Sequence, residues 1–304
     1  MAWTPGPGGR PRACCPRCGS LERHRFLAFL VQALAEELGR GPVLDVGPSA
    51  ALALHLKHLS LDRYIAMDRD PGADRRRADV IGDITSLPFA SGSISTVVCY
   101  HVLEHVPEDR TAIAELARVL SPAGLALIQV PCRFDRPTEE DPDAPEEERV
   151  RRFGQADHVR YYGGDFEDRL RAEGLMLQRV SPRDFLPDDV IELGRMVADE
   201  VVWLGTKEAA DGYKDRIGKR ATFALAALWQ AGAATQRGEL ARVRGQLESA
   251  RSSTAAAQAR AEKSEEKYRR LRSRWPVRVM GSMAAWGRSV TGRGNGRRSE
   301  KQRA

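Results

Sequence analysis

Apolar and polar residues alternate along the first two-thirds of the chain in a pattern that predicts short strands separated by helices. Between Leu21 and Leu38 the apolar positions recur at spacings of three and four, which predicts an amphipathic helix that ends at Gly39. Short apolar runs rich in β-branched residues follow, each bounded by residues that favour turns. We predict strands at residues 43–46, 64–67, 80–82, 96–100, 125–130, 175–180 and 201–204.

Helical segments complete the alternation between these strands. The stretches 51–59, 110–120 and 165–173 have helical spacing, whereas the acidic, proline-bearing stretch 133–156 predicts a mobile loop. Strands that alternate with helices imply right-handed βαβ units and a parallel sheet. The predicted fold class is therefore α/β, with a doubly wound, Rossmann-like sheet and flanking helices.

The pattern changes from about residue 206. Apolar residues at spacings of three and four from Leu240 to Trp275 are typical of a heptad repeat, and a dense basic run follows at 267–278. A coiled coil of this kind predicts a homo-oligomer. We divide the chain into an N-terminal segment with a CxxC pair and a helix (1–40), an α/β domain (41–206), and a C-terminal α-helical, coiled-coil and basic tail (207–304).

Charge is distributed unevenly over these parts. The chain has 304 residues and a formal net charge of +6, but residues 207–304 hold 23 Lys and Arg against 9 Asp and Glu. Residues 1–206 hold 25 basic against 33 acidic residues. A basic tail with apolar residues such as Trp275 predicts peripheral contact with an anionic membrane surface. The alternatives are a solvated coiled-coil end and a segment that binds nucleic acid.

Membrane-spanning and secretory signals are missing from the sequence. No run of about 18 apolar residues occurs, and the N-terminus has no charged head before an apolar stretch. The five cysteines are an odd number, which favours reduced thiols over a disulfide framework. We therefore expect a cytoplasmic protein that associates with membranes, if at all, through its tail.

Residues suited to binding a nucleoside follow the first three predicted strands. Asp45 and Gly47 end the first strand, where a glycine lets the backbone approach a ligand closely. Asp68 ends the second strand, where a carboxylate can accept hydrogen bonds from both ribose hydroxyls. Asp83 can accept from an adenine amino group while Ile84 packs on the base. Taken alone, the Asp-x-Gly turn and Asp68 are more typical of ordinary turns than of a ligand site.

Two further motifs make the set specific. His101-Val102-Leu103-Glu104-His105-Val106 follows the fourth strand, and Ala117-Arg118-Val119-Leu120-Ser121-Pro122-Ala123-Gly124 joins a helix to the fifth. In this order and spacing, residues 43–131 resemble the methyltransferase domain of the class I, S-adenosylmethionine-dependent superfamily, and most of all its type 11 subgroup. The glycine-rich turn of that family keeps only Gly47 here. The resemblance implies methyl transfer from S-adenosylmethionine, with cofactor contacts at Asp45, Gly47, Asp68, Asp83, Ile84 and His101.

Histidines near the acceptor side of such a domain are candidates for acid–base chemistry. His158 begins a His-Val-Arg-Tyr-Tyr element that resembles a segment facing the substrate cleft in many small-molecule methyltransferases of this class. An imidazole titrates near neutral pH, so His158 is the candidate general base, and a structural turn histidine is the alternative. We expect Glu104 and His105 to make local hydrogen bonds.

The N-terminal Cys15-Pro-Arg-Cys18-Gly sequence is half of a zinc ribbon. A structural zinc ion needs four ligands, and the second cysteine pair that normally lies upstream in a similar bacterial subgroup is not in this sequence. Cys15 and Cys18 are therefore the candidate metal ligands, with Cys14 and His24 available only in an unusual geometry. The alternative is a remnant knuckle packed on the following helix.

Three function classes follow from these motifs. The first is an active methyltransferase that modifies a small molecule or a cell-surface glycan or lipid-linked sugar, because residues 272–278 resemble C-terminal segments of bacterial glycan-assembly proteins. The second is a non-catalytic scaffold with a decayed methyltransferase fold. The third, a nucleic-acid methyltransferase, is opposed by the acidic domain and by the lack of an Asn-Pro-Pro-Tyr-type loop after the fourth strand.

Overall fold

The chain forms two units in a computed structural model. Contacts cluster within Met1–Ala231 and within Gly232–Ala304. In the second unit the described stretches are helical and exposed, and most of the predicted heptad repeat and basic run lies outside the described residues. The structure describes residues 2–6, 9–59, 63–70, 78–208 and 212–228, with short stretches between 245 and 267.

The first unit alternates strands with helices, as the sequence pattern predicts. Its helices are α1 (Glu22–Ala33), α2 (Ala35–Leu38), α3 (Ala50–His58), α4 (Asp109–Val119), α5 (Glu146–Phe153), α6 (Phe166–Ala172), α7 (Asp188–Leu193) and α8 (213–228). Its strands are β1 (Val43–Val46), β2 (Tyr64–Asp68), β3 (Val80–Ile81), β4 (Ile94–Tyr100), β5 (Leu120–Gln129), β6 (Cys132–Arg133), β7 (Glu139–Glu140), β8 (Arg160–Gly163), β9 (Met176–Val180) and β10 (Val202–Thr206).

A seven-stranded sheet forms the centre of this unit and confirms the predicted α/β fold class. The strand order is β3-β2-β1-β4-β5-β10-β9. The five strands from β3 to β5 pair in parallel, whereas β10 runs antiparallel to both β5 and β9. The order reverses between β1 and β4, and open α/β sheets bind ligands at the carboxyl edge of such a switch point.

Helices cover both faces of the sheet because neighbouring strand residues point in opposite directions. On one face, α1, α3 and α8 pack around Val98, and Phe26 and Ile217 are buried there. On the other face, α4 and α6 pack around Val97. Helix α8 thus belongs to the core of the first unit, although it lies beyond residue 206, where we placed the end of the α/β domain.

The acidic stretch 133–156 is structured, and the prediction of a mobile loop is wrong. It contributes β6, β7 and α5, and β8 pairs with both β6 and β7 in a small three-stranded sheet. Arg152 pairs with Glu139 at 2.8 Å and with Asp141 at 2.6 Å, and Phe153 is buried. Several of the acidic residues that suggested a solvated loop are paired with arginines.

No helix among the described residues is long and apolar enough to cross a membrane.

Candidate functional site

A cavity of about 570 Å³, cavity A, lies at the carboxyl edge of the parallel strands. Each strand from β1 to β4 ends there, so residues distant in sequence meet at one edge. Five of the six predicted cofactor contacts line this cavity: Gly47, Asp68, Asp83, Ile84 and His101.

The turn after β1 keeps its strand–turn–helix geometry although it lacks the other glycines of the family pattern. Gly47 has φ +63°, a conformation that favours glycine, and its N–H donates to Met67 O at 2.9 Å. Ser49 then accepts a hydrogen bond from Leu52 N at 3.2 Å through its hydroxyl oxygen. This bond stabilises the first turn of α3, so the strand–turn–helix geometry survives with a single glycine.

The predicted nucleoside-binding residues lie on fixed turns. Asp83 accepts hydrogen bonds from Thr85 N at 2.8 Å and from Thr85 Oγ1 at 2.7 Å, and these bonds lower the pKa of its carboxyl. Asp68 accepts from Asp70 N at 3.1 Å, and Ile84 is buried. Cavity A therefore presents the carboxylates of Asp68 and Asp83 and the apolar side chain of Ile84, which are groups suited to a nucleoside.

Arg118 and Glu115 hold the loop that carries Asp83 and Ile84. Arg118 donates to Leu87 O at 3.0 Å and to Phe89 O at 2.8 Å, while Glu115 accepts from Leu87 N at 2.7 Å. The two side chains also pair with each other at 2.6 Å. The helix–turn–strand motif seen in the sequence thus fixes the loop that carries Asp83 and Ile84.

Asp45 is the one predicted cofactor contact that does not line cavity A. It lines a smaller cavity of about 150 Å³, cavity C, together with Arg23, Gly47 and His101. Its Oδ2 accepts a hydrogen bond from Tyr64 Oη at 2.7 Å. Burial raises the pKa of Asp45 to about 7, so the side chain is largely protonated in weak acid.

A third and larger cavity, cavity B, opens beside the small three-stranded sheet. It measures about 790 Å³ and is lined by charged side chains from several segments and by the aromatic rings of Phe134, Phe153, Tyr161 and Trp203. His158, the candidate general base, lies in its wall. Its Nδ1 is 3.0 Å from Phe153 O, and burial lowers the pKa of its imidazole.

His101 is the point where the three cavities meet. It lines cavities A, B and C alike. Its φ of +55° is a left-handed conformation that histidine adopts more readily than most residues, and its N–H donates to Gln129 O at 2.9 Å. Its Nδ1 lies 2.9 Å from Glu104 Oε1, which confirms the expected local hydrogen bonding of Glu104.

Arg160 fastens the His158 segment to the turn after β4. This buried guanidinium donates to Leu103 O at 2.9 Å, to Pro107 O at 2.8 Å and to Val106 O. Val159 N donates to Glu104 O at 2.9 Å beside it. The wall of cavity B is therefore connected to the sheet edge that carries the predicted cofactor contacts.

Two residues of the site were not predicted from the sequence. Arg23 on α1 lines cavities B and C, and Glu200 lines cavity B. Gln129 Nε2 donates to Glu200 Oε1 at 3.2 Å, and burial raises the pKa of Glu200 to about 7. Glu200 precedes β10, whose start lies at the carboxyl edge of the parallel strands because β10 is antiparallel. The sequence carries no sign of that strand direction.

The CxxC segment forms a compact turn. Cys15 N donates to Ser20 O, Gly19 N donates to Cys15 O, and Cys18 Sγ lies 3.2 Å from Ser20 Oγ. Among the residues that the structure describes, the acids, histidines and cysteines that could hold a metal ion form one group, which does not include Cys15 or Cys18.

Comparison with known proteins agrees with this geometry. Residues 44–128 match the family model of a methyltransferase domain. The chain carries a methyltransferase domain of the class I superfamily. This domain is 32% identical, over 115 residues, to demethylmenaquinone methyltransferase of Mycolicibacterium paratuberculosis, and the match covers 35% of this chain and 49% of that protein. The chain thus spans about half the length, or less, of the curated relatives that it matches.

Solved methyltransferase structures are similar to the domain in outline. An S-adenosylmethionine-dependent methyltransferase of Mesorhizobium loti aligns with a TM-score of 0.43 and 16% identity, over 60% of this chain and 96% of that one. A complex of a methyltransferase with the Haloferax volcanii Trm112 activator aligns with a TM-score of 0.40 and 17% identity, over 61% of this chain and 93% of that one.

Proposed function

We propose that the chain is an S-adenosylmethionine-dependent methyltransferase whose acceptor is a small molecule bound in cavity B. The observation that carries the proposal is the meeting of three cavities at His101. Cavity A has side chains that suit a nucleoside. Cavity C is small and partly cationic, and cavity B is large enough for an acceptor.

The side chains fit the parts of the cofactor. Asp68 suits the ribose hydroxyls, and Asp83 with Ile84 suits the adenine ring. Arg23, partly buried at cavity C, suits the carboxylate of the methionine end, since a guanidinium binds carboxylates in a bidentate way. The bound cofactor supplies an electrophilic methyl group.

The residues of cavity B would position the acceptor and take its proton. Positioning supplies much of the rate of a methyl transfer, so little acid–base machinery is needed. His158 and Glu200 are the two candidate proton acceptors. Burial keeps the imidazole of His158 neutral, and the raised pKa of Glu200, about 7, suits a group that accepts a proton near neutral pH.

Two acceptor classes fit cavity B. Aromatic rings beside charged groups suit a glycan or lipid-linked sugar, whose rings stack on aromatic faces and whose hydroxyls need polar partners. The similarity to demethylmenaquinone methyltransferases favours a quinone-type ring as the second candidate. Both classes belong in an acceptor screen.

The tail is proposed as a docking and assembly device. Its heptad repeat supports a homo-oligomer, and its basic run supports peripheral contact with an anionic membrane. A cytoplasmic, membrane-associated enzyme that acts on a lipid-linked acceptor would use both.

Calorimetric titration with S-adenosylmethionine and S-adenosylhomocysteine tests the enzyme proposal. We expect micromolar binding to the full chain, weakened about tenfold or more by Asp68→Ala because the ribose loses a charged acceptor. Asp168→Ala, which removes an exposed carboxylate on α6, is the matched control and should bind like the original chain. If the folded chain binds neither ligand, the scaffold function replaces the proposed one.

A further inference from the structure

Three side chains in the wall of cavity B form a compact group of potential metal ligands. One ligand atom each from Glu104, His105 and His158 lies within 4.8 Å of the other two. Glu104 and His158 are buried, and His105 is partly exposed. Since all three line cavity B, a ligand reaching them would come from that cavity.

Each histidine is oriented so that its second nitrogen is left to bind. His158 Nδ1 lies 3.0 Å from Phe153 O, and because a carbonyl oxygen only accepts, Nδ1 carries the hydrogen. His105 Nδ1 likewise faces the carbonyl oxygen of Asp157 at 3.3 Å and its carboxylate at 3.2 Å. Both rings therefore present a bare Nε2. Metal-binding histidines are held in this way by an oxygen acceptor behind the ring.

Two buried atoms of the group have unmet hydrogen-bonding capacity. His158 Nε2 and Glu104 Oε2 have no hydrogen-bond partner among the described residues. The other carboxylate oxygen, Glu104 Oε1, lies 2.9 Å from His101 Nδ1. Buried polar atoms are nearly always satisfied, so two unsatisfied atoms in one compact group indicate a site for a ligand.

The group is also fixed in place before any ligand arrives. Glu104 and His105 lie on a single 3-10 turn, Leu103–His105, directly after β4. His158 is fastened to the same turn by the Val159–Glu104 backbone bond and by Arg160. A site that its neighbours already hold rigid loses less conformational entropy on binding than a site that must first assemble.

We propose that Glu104, His105 and His158 bind a divalent transition-metal ion, with zinc as the representative. Two imidazole nitrogens and one carboxylate oxygen are the ligands of zinc sites that keep an open position, and they are too rich in nitrogen for magnesium or calcium. This site goes beyond the proposed methyl transfer, and it is distinct from Cys15 and Cys18. While the ion is bound, His158 Nε2 is occupied, so Glu200 is then the remaining candidate proton acceptor for methyl transfer.

Metal binding is measured on the full chain carrying Cys14→Ser, Cys15→Ser and Cys18→Ser, so that the thiols of the N-terminal segment contribute nothing. After dialysis against Zn²⁺ and then metal-free buffer, we expect one ion per chain, and Co²⁺ in its place should give visible absorption without thiolate bands. His105→Asn, at the partly exposed ligand, should weaken binding about tenfold or more, as should His158→Asn and Glu104→Gln. Glu148→Gln, at an exposed carboxylate on α5, is the control and should leave binding unchanged.

The result that would overturn the site is equally direct. A chain that retains neither Zn²⁺ nor Co²⁺, or one whose affinity is the same in all three ligand variants as in Glu148→Gln, has no metal site here. Because His105→Asn changes a partly exposed residue, circular dichroism of that variant separates loss of the ligand from loss of the fold. The readout is metal content, so it does not depend on methyl transfer.

Discussion

The two sides of the candidate site are built in different ways. On the cofactor side, Asp68, Asp83 and His101 lie at or just after the ends of parallel strands, and the sheet backbone positions them. On the acceptor side, Phe153, His158 and Tyr161 of cavity B lie on short segments outside the large sheet, and the buried Arg160 connects these segments to the turn after β4. We infer that the first side depends on the core of the domain and the second on charged contacts.

The largest effect is expected from removing the buried arginine of the acceptor side. Arg160→Met leaves the carbonyl oxygens of Leu103, Val106 and Pro107 without their buried donor, and each buried acceptor left unsatisfied costs about 1–3 kcal/mol. Urea unfolding measures the loss. Arg118→Met on the cofactor side removes a similar but partly exposed set of contacts and should cost clearly less. If the two variants lose the same free energy of unfolding, the acceptor side does not depend on charged contacts more than the cofactor side does.

A pH-dependent effect is expected on the cofactor side. Asp45 has a folded pKa of about 7, above its unfolded value, so the folded state holds a proton that the unfolded state releases. The contribution of Asp45 to stability is therefore lost as pH rises from about 4 to 7, and Asp45→Asn removes this one contribution to the pH dependence. The variant should gain about 2–4 kcal/mol relative to the original above pH 7.

Urea unfolding in weak acid and again in weak base checks this prediction. The Asn amide oxygen can still accept the Tyr64 hydrogen bond, so packing changes little. Asp168→Asn, at an exposed position, should show no gain. A gain for Asp45→Asn that is the same in acid and base would show that its carboxyl is not held protonated.

The smallest effect compares a glycine in each sheet. A Cβ on Gly163, in the small sheet, would lie closer than 3.0 Å to backbone atoms of residues 136–138, so Gly163→Ala should cost about 1–3 kcal/mol. A Cβ on Gly205, in the large sheet, would meet only side chains at 3.6 Å, so Gly205→Ala should change stability by about 0.5 kcal/mol or less. Thermal melting of both variants measures the difference. If Gly163→Ala does not lower the melting temperature, the backbone of residues 136–138 can move to make room for the Cβ.

The sequence was sufficient to predict most of the cofactor side. Local apolar runs located β1, β2 and β4 closely, and parallel strands necessarily bring their carboxyl ends to one edge. Asp68, Asp83 and Ile84 could therefore be placed together from the strand pattern alone. Asp45 was the exception, since it belongs to the same strand end but lines a different cavity, and side-chain direction at a turn is not a matter of spacing.

The acceptor side could not be predicted in the same way. The stretch 133–156 has the acidic composition of a solvated loop. It is ordered because several of its acids pair with arginines, some of them distant in sequence. Glu140, for example, pairs with Arg160 and Arg169, each at 3.0 Å. Glu200 enters the site through the antiparallel direction of β10, which is a property of the whole sheet. These contacts depend on tertiary structure rather than on local pattern.

Trp203 gives the acceptor cavity an intrinsic optical reporter. Its indole is fully buried, donates to Glu167 at 2.9 Å, and packs edge-on against Phe166 at a centroid distance of 4.9 Å. The fluorescence of such a ring responds to any change of polarity or quenching beside it. Because Trp203 lines cavity B, the emission difference between the original chain and Trp203→Phe would register a bound acceptor without label, radioisotope or turnover.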